Sequence, residues 1–228
     1  MIDKNIKINL PTDVEFILNT LNKNGYEAYV VGGCVRDSLL NRPIHDWDIT
    51  TNALPKEIEK LFDKTIPTGI EHGTTTVMIN GIGYEITTYR IDKKCDGRHA
   101  EVEFTNSLKE DLSRRDFTIN AMAYSSKEGI IDYFGGIEDL NNKMIKCVGL
   151  AMERFKEDYL RILRAIRFSM SLGFELEPLL KDYIINNLDL LNNLNIDKIK
   201  QEISKMKKIN KEETEKIIIE YHINRFIS

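Results

Sequence analysis

PIHDWDITTNALP, residues 43–55, places Asp46 and Asp48 one residue apart in a short run that reads as a β-strand. Strand side chains alternate between faces, so this spacing predicts both carboxylates on one side, with Trp47 and Ile49 turned to the core. Two carboxylates held that close repel unless a cation lies between them. Mg²⁺ suits such a pair, because it takes carboxylate oxygens and fills its other positions with water and substrate phosphates. In two-metal phosphoryl chemistry one pair can serve both ions, one activating the attacking hydroxyl and one holding a triphosphate. The bland alternative is a D-x-D pattern at a solvated strand end.

The stretch just before it, VVGGCVRD at 30–37, reads as a strand, a Gly32-Gly33 turn and a helix start. Glycines at such a junction let backbone N–H groups approach a phosphate. Arg36 either contacts that phosphate or pairs with Asp37 or Asp46. Neither the P-loop pattern nor the G-x-G-x-x-G dinucleotide pattern is present.

Farther out, short β-like runs at 27–31, 74–79, 84–89 and 129–134 alternate with glycine turns, and the texture changes near residue 150. Beyond that point the pattern is helical, with Gly173 as its single glycine. One helix is predicted from about Met152 to Leu172, a second over 178–188, and two more within 196–208 and 211–222. The expected organisation is an α+β head over 1–149 and a helical segment over 150–228. Cys34, Cys95 and Cys147 are too few and too scattered for a disulfide scaffold or a thiolate zinc site, which suggests a reducing cytoplasm. No apolar run has the length of a membrane span and no signal peptide is visible, so no membrane partner is expected. The net charge of −4 argues against coating nucleic acid by bulk charge and leaves room for a local basic groove.

Seven segments, VGGCVRD, HDWDITTNALP, TGIEHGTTTV, YEITTYR, DLSRRDFTINAMAY, IIDYFGGIEDL and RFKEDYLRILRAIRFSMSLGF, follow one another between residues 26 and 174. In this order they resemble bacterial tRNA nucleotidyltransferases, the CCA-adding enzymes, and their poly(A) polymerase relatives. The resemblance implies a polymerase-β-like nucleotidyltransferase head with a small mixed sheet, followed by an all-helical neck. It implies Mg²⁺-dependent attack of an RNA 3′-hydroxyl on the α-phosphate of CTP or ATP, with CMP and AMP added to the tRNA 3′ end and pyrophosphate released. Poly(A) polymerase and partial-tail enzymes adding only CC or only A are the alternatives within that class. An RNA-binding protein on a degenerate head is the non-enzymatic one, and it should have lost a carboxylate of the pair.

Carried onto this sequence, Gly32, Gly33 and Arg36 resemble the triphosphate turn, and Asp46 and Asp48 the metal pair. Glu85 resembles a third acidic residue, although on its strand it either faces the site or simply water. SRRDFTINAMA reads by itself as a helix start, and Arg114 and Arg115 as either a solvated pair or phosphate ligands, since a guanidinium fork matches phosphate oxygens. The resemblance makes Arg115 the phosphate ligand and Asp116 the ribose contact, with Asn120 ordering the loop as a buried amide. Asp158 and Arg161, three apart on one predicted helix face, read by spacing as a salt bridge; the resemblance implies instead that, with Arg164, they read the nucleotide base. IDKKCDGRHAE, 91–101, is short of apolar residues and is expected to be a mobile loop; the resemblance implies that a loop here helps the switch from C to A addition, with Arg98 as the candidate.

Two departures stand out. His99 and Ala100 replace the arginine- and proline-containing form expected in that loop, and Asp197-Lys198 replaces a glutamate-arginine pair. Family members also run well past 228 residues. The sequence therefore reads as a piece of a longer enzyme, or as a compact one in which Lys198, Lys200, Lys205, Lys207 and Lys208, and a homodimer, supply the grip on tRNA.

Overall fold

The computed structural model describes residues 2–95 and 100–227. It falls into two compact units, the first comprising Met1–Lys93 and Val102–Glu138. Along this first unit run β1 (Ile2–Asp3), α1 (Thr12–Lys23), β2 (Ala28–Val31), α2 (Gly33–Leu39), β3 (Ile49–Thr51) and α3 (Pro55–Leu61). There follow β4 (Thr65–Gly69), β5 (Thr74–Ile79), β6 (Ile82–Thr88), β7 (Arg90–Cys95), β8 (Ala100–Phe104), α4 (Leu108–Ser113), β9 (Met122–Ser125), β10 (Gly129–Asp132) and α5 (Gly136–Asn141), of which β7, β8 and α5 each belong in part to the second unit.

One mixed sheet, ordered β1-β10-β9-β2-β3-β6-β5-β4, forms the centre of this unit. Its pairs are antiparallel except for β3 with β6. The all-buried run of β2 suits a central strand covered on both faces. Helix α1 buries Val14, Ile17, Leu18 and Leu21, spaced as one face of a helix, at about 1.5–3 kcal/mol per fully buried aliphatic side chain. Leu108 and Leu112 of α4 join Tyr29, Val31, Tyr89, Ala123 and Ile131 in the core. After β10 the Asp132 carboxylate accepts the N–H groups of Phe134, Gly135, Gly136 and Ile137 at 2.9–3.1 Å, which closes the turn into α5.

Three sequence expectations change here. The strand read within 43–55 is confined to Ile49–Thr51, so Asp46 lies before it and Asp48 at its edge. The helix start at SRRDFTINAMA is a single 3₁₀ turn, Thr118–Asn120, leading into β9. Its apolar residues are buried between β2 and β10, and sheet packing overrides the local helical spacing. The expected loop after Arg90 is strand over its described parts, β7 and β8, where exposed Lys93 and Glu103 pair. Arg98 and His99 lie outside the described residues.

The second unit, Asp139–Ser228 with Lys94–Glu101, carries β11 (Met144–Ile145), α6 (Ala151–Glu157), α7 (Leu160–Leu172), β12 (Glu175–Leu176), α8 (Pro178–Asn186), α9 (Ile196–Ile209) and α10 (Lys211–Glu220). It is helical apart from the two-residue parallel pair of β11 with β12. Helix α7 packs on α9, burying Ile162, Leu163 and Ile166 together with Ile199, Ile203 and Met206. Gly173, with φ +67°, takes the left-handed conformation that ends α7. The single helix predicted over 152–172 is broken at Asp158, whose backbone is extended (φ −151°, ψ 106°). Its carboxylate accepts the Leu160 N–H at 2.9 Å, meeting one of the orphan donors at the start of α7. Among the described residues no helix is long and apolar enough to cross a membrane.

Candidate active site

Because β3 and β6 run parallel with Ile49 opposite Ile86, the residues just before them, Asp48 and Glu85, stand at one level. These two and Asp46 open into one cleft of about 630 Å³. Trp47 is half-buried and lines this same cleft, contrary to its expected place in the core. The assigned strand begins only at Ile49, with Asp48 held at its edge by the Val31 N–H on its carbonyl at 3.0 Å, and the indole and both carboxylates share one opening.

Asp46, Asp48 and Glu85 are all exposed to solvent. Surrounding protein nevertheless raises the pKa of Asp48, chiefly by desolvation; Arg115 opposes the shift, while Glu85 and Asp46 add to it by repulsion. Such carboxylate crowding favours a bound cation. Among the described residues no three acidic, histidine or cysteine side chains form a complete metal cage. The donor set is hard oxygen from carboxylates, and it leaves positions for water and substrate oxygens, as Mg²⁺ requires.

Beside the carboxylates lies the turn at Gly32, whose φ of +80° favours glycine. A Cβ there would stand 3.2 Å from Nη1 of Arg115. Arg36 is buried and donates to the Asp37 carboxylate at 2.8 and 3.0 Å and to Oδ1 of Asn120 at 2.6 Å. Asn120 in turn donates from Nδ2 to Asp116 Oδ1 at 3.1 Å, and that oxygen also accepts the Phe117 N–H. Asp37, Arg36, Asn120 and Asp116 thus form one chain of hydrogen bonds beneath the glycine turn.

Asp111, which sequence reasoning missed, is fully buried. Its carboxylate accepts from Arg114 Nε and Nη2 at 3.0 and 2.8 Å, from Arg115 Nη2 at 3.3 Å, from the Arg90 N–H at 3.3 Å and from the Thr50 hydroxyl at 3.2 Å. Burial raises its pKa, but Arg115 and Arg114 outweigh that and hold it below the usual range. Burial and the Arg114 charge push Arg90 down to about 10. The one visible signal was spacing: Asp111 stands three and four residues before the two arginines, as helix neighbours do. Burial pushes the Cys34 thiol up to about 12, which disfavours its thiolate.

In the helical unit, Asp158 and Arg161 do not pair. Arg161 donates to Glu157 at 2.7 Å and to the Arg154 carbonyl at 3.0 Å, and the extended backbone at Asp158 breaks the single helix face on which the salt-bridge alternative rested. Arg164 and Arg167 both lie over the ring of Phe168, at 5.4 and 4.3 Å. The five lysines of α9 are exposed; Lys205 pairs with Glu202 and Lys207 with Glu215.

Residues 28–146 match the poly(A) polymerase head domain. The chain belongs to this family.

Over 192 residues this head-domain protein is 50% identical to the CCA-adding enzyme of Lactobacillus delbrueckii subsp. bulgaricus, covering 83% of this chain and 48% of that enzyme. The CCA-adding enzyme of Lactiplantibacillus plantarum is 46% identical over the same length. Among solved structures, the Bacillus stearothermophilus CCA-adding enzyme in complex with CTP is 45% identical at a TM-score of 0.78, over 84% of this chain and 47% of that one. The Thermotoga maritima CCA-adding enzyme complexed with tRNA is 25% identical at a TM-score of 0.79, over 95% of this chain and 53% of that one. The chain therefore spans about half the length of the relatives it matches.

Proposed function

We propose that the chain is a template-independent RNA nucleotidyltransferase that adds CMP and AMP from CTP and ATP to the tRNA 3′ end. The observation that carries this reading is the opening of Asp46 and Asp48, with Glu85 at their level, into one cleft beside the arginine-bearing Gly32 turn. The names of the relatives support the choice of substrates.

In the proposed reaction the RNA 3′-oxygen forms a bond to the α-phosphorus, the bond to the β-phosphate oxygen breaks, and pyrophosphate leaves as the hydroxyl proton is released. Arg115 and the backbone N–H groups at Gly32 and Gly33 would hold the triphosphate, and buried Asp116 the ribose. Arg36 supports that turn from below, through Asn120. Asp46 and Asp48 would hold Mg²⁺, which lowers the pKa of the attacking hydroxyl and offsets phosphate charge. In the helical unit Asp158, Arg161 and Arg164 are the candidates for reading the base, and the exposed lysines of α9 for contacting tRNA phosphates.

The deciding assay offers tRNA ending in the discriminator base, in C and in CC, with CTP and ATP separately and together. Ordered addition of two C and one A supports the reading. Repeated AMP addition would make the chain a poly(A) polymerase, arrest at CC or activity with ATP alone would make it a partial-tail enzyme, and no incorporation would reject it.

A further inference from the structure

The acidic pair and the arginine that faces it come from segments far apart in sequence, and one buried side chain joins them. Asp111 accepts from Thr50, two residues beyond Asp48 on β3, and from Nη2 of Arg115. We propose that Asp111 is a positioning residue: it holds the Arg115 fork by one edge and so fixes where that cation stands relative to Asp48.

Three observations support this. Arg115 is anchored by one nitrogen while its Nε is buried without a partner among the described residues, and its Nη1 stands beside the Gly32 turn. That is a fork tied at one end and aimed at the place proposed for the triphosphate. Arg115 Nη1 also stands at Gly32, whose neighbour Val31 donates its N–H to the Asp48 carbonyl at 3.0 Å, so the guanidinium and the acidic segment meet at one turn. Released from Asp111, a cation in that position would fall onto the acidic pair and compete there with a metal ion, since an opposite charge favours the ionised carboxylate. Finally, Asp111 carries Arg114 as well, whose Nε donates also to the Arg90 carbonyl at 3.1 Å, so the anchor is itself braced from β7.

The inference deepens the nucleotidyl-transfer reading and rests on it. Its test is a double-mutant cycle on CTP affinity, measured by calorimetry with the full chain. Variants are Asp111→Asn, Arg115→Ala and the two combined. The asparagine keeps the volume but turns an NH₂ toward guanidinium donors. Arg115→Ala should weaken CTP about ten-fold, the size of one charge-assisted hydrogen bond. Asp111→Asn should lose most of the same factor, and the double variant should bind no worse than Arg115→Ala. Thr50→Val, which removes only the hydroxyl bond, should show the same non-additivity on a smaller loss and serves if Asp111→Asn does not fold. Losses that multiply would mean that Asp111 acts on stability alone and would overturn the proposal. A wild-type chain that binds no nucleoside triphosphate would overturn the nucleotidyl-transfer reading and this inference with it, whereas multiplicative losses on a chain that binds CTP overturn the inference alone.

Discussion

Arg161 is paired with Glu157, four residues before it, at 2.7 Å, while Asp158 between them turns its carboxylate to the Leu160 N–H. The two candidate base-reading groups are thus held by different partners. Glu157→Gln should loosen the Arg161 fork and change the ratio of CTP to ATP use by several-fold, whereas Asp158→Ala should also remove the brace at the start of α7. Losing a helix-terminal acceptor of this type costs about 1 kcal/mol. Steady-state kinetics with the four nucleotides, alongside thermal melts, separate the two. Selectivity unchanged in both variants would reject a role in base choice.

Asp46→Ala and Asp48→Ala should abolish nucleotide incorporation and leave the fold intact, because both carboxylates are exposed and repel one another. Trp47, the chain's one tryptophan, sits between them and supplies a second readout. Its fluorescence should change saturably on Mg²⁺ addition in the wild type and not in either variant. A response that survives in both variants would place the ion elsewhere.

The raised pKa of Asp48 has a pH consequence. A carboxyl whose folded pKa exceeds its unfolded value contributes stability at low pH, and this is lost as pH rises through the folded pKa. Asp48→Asn should therefore melt no lower than wild type at neutral pH, and its advantage should vanish in acid. Melting curves of the metal-free protein over the acid range check both.

Glu202 behaves in the opposite sense. It is buried between Arg167 and Lys205, each at 2.6 Å, and although burial raises its pKa, Lys205 and Arg167 together hold it below the usual glutamate range. Its stabilisation is present above the unfolded pKa and lost as pH falls through the folded one. Glu202→Ala should cost about 3 kcal/mol at neutral pH by stranding Arg167. Urea titrations should show that deficit shrinking in acid.

Lys205 and Lys207 are drawn to Glu202 and Glu215, which leaves Lys198, Lys200 and Lys208 as the stronger candidates for the proposed contact with tRNA phosphates. Neutralising the latter three should flatten the dependence of affinity on salt by about one unit of log-log slope per lost contact. Binding isotherms across salt concentrations test this. Equal effects from Lys205 and Lys207 would contradict it.

The motifs made the family and the acidic pair legible from sequence because spacing of Asp46, Asp48 and the Gly32-Gly33 turn is a local property. What was not legible is set by distant partners. The strand at Met122–Ser125 depends on β2 and β10 burying it, and the apolar spacing of FTINAMA alone reads as helix. The break at Asp158 hides in a continuous helical pattern, because an aspartate within a helix and one that caps the next helix look alike until the backbone is seen. Asp111 was passed over because a buried carboxylate declares itself only through the arginines folded around it.

The parallel pairing of β3 with β6 also bears on how the protein is made. Asp46 and Asp48 leave the ribosome before their neighbour strand, Ile82–Thr88, and well before Asp111 and Arg115. Until those later segments arrive, a newly made chain bears the acidic pair without the arginine that faces it. Assembly of this corner waits on contacts distant in sequence, the slow kind in folding. Formation of the candidate site is thereby tied to completion of the sheet, and an unfinished head has no assembled acidic cleft.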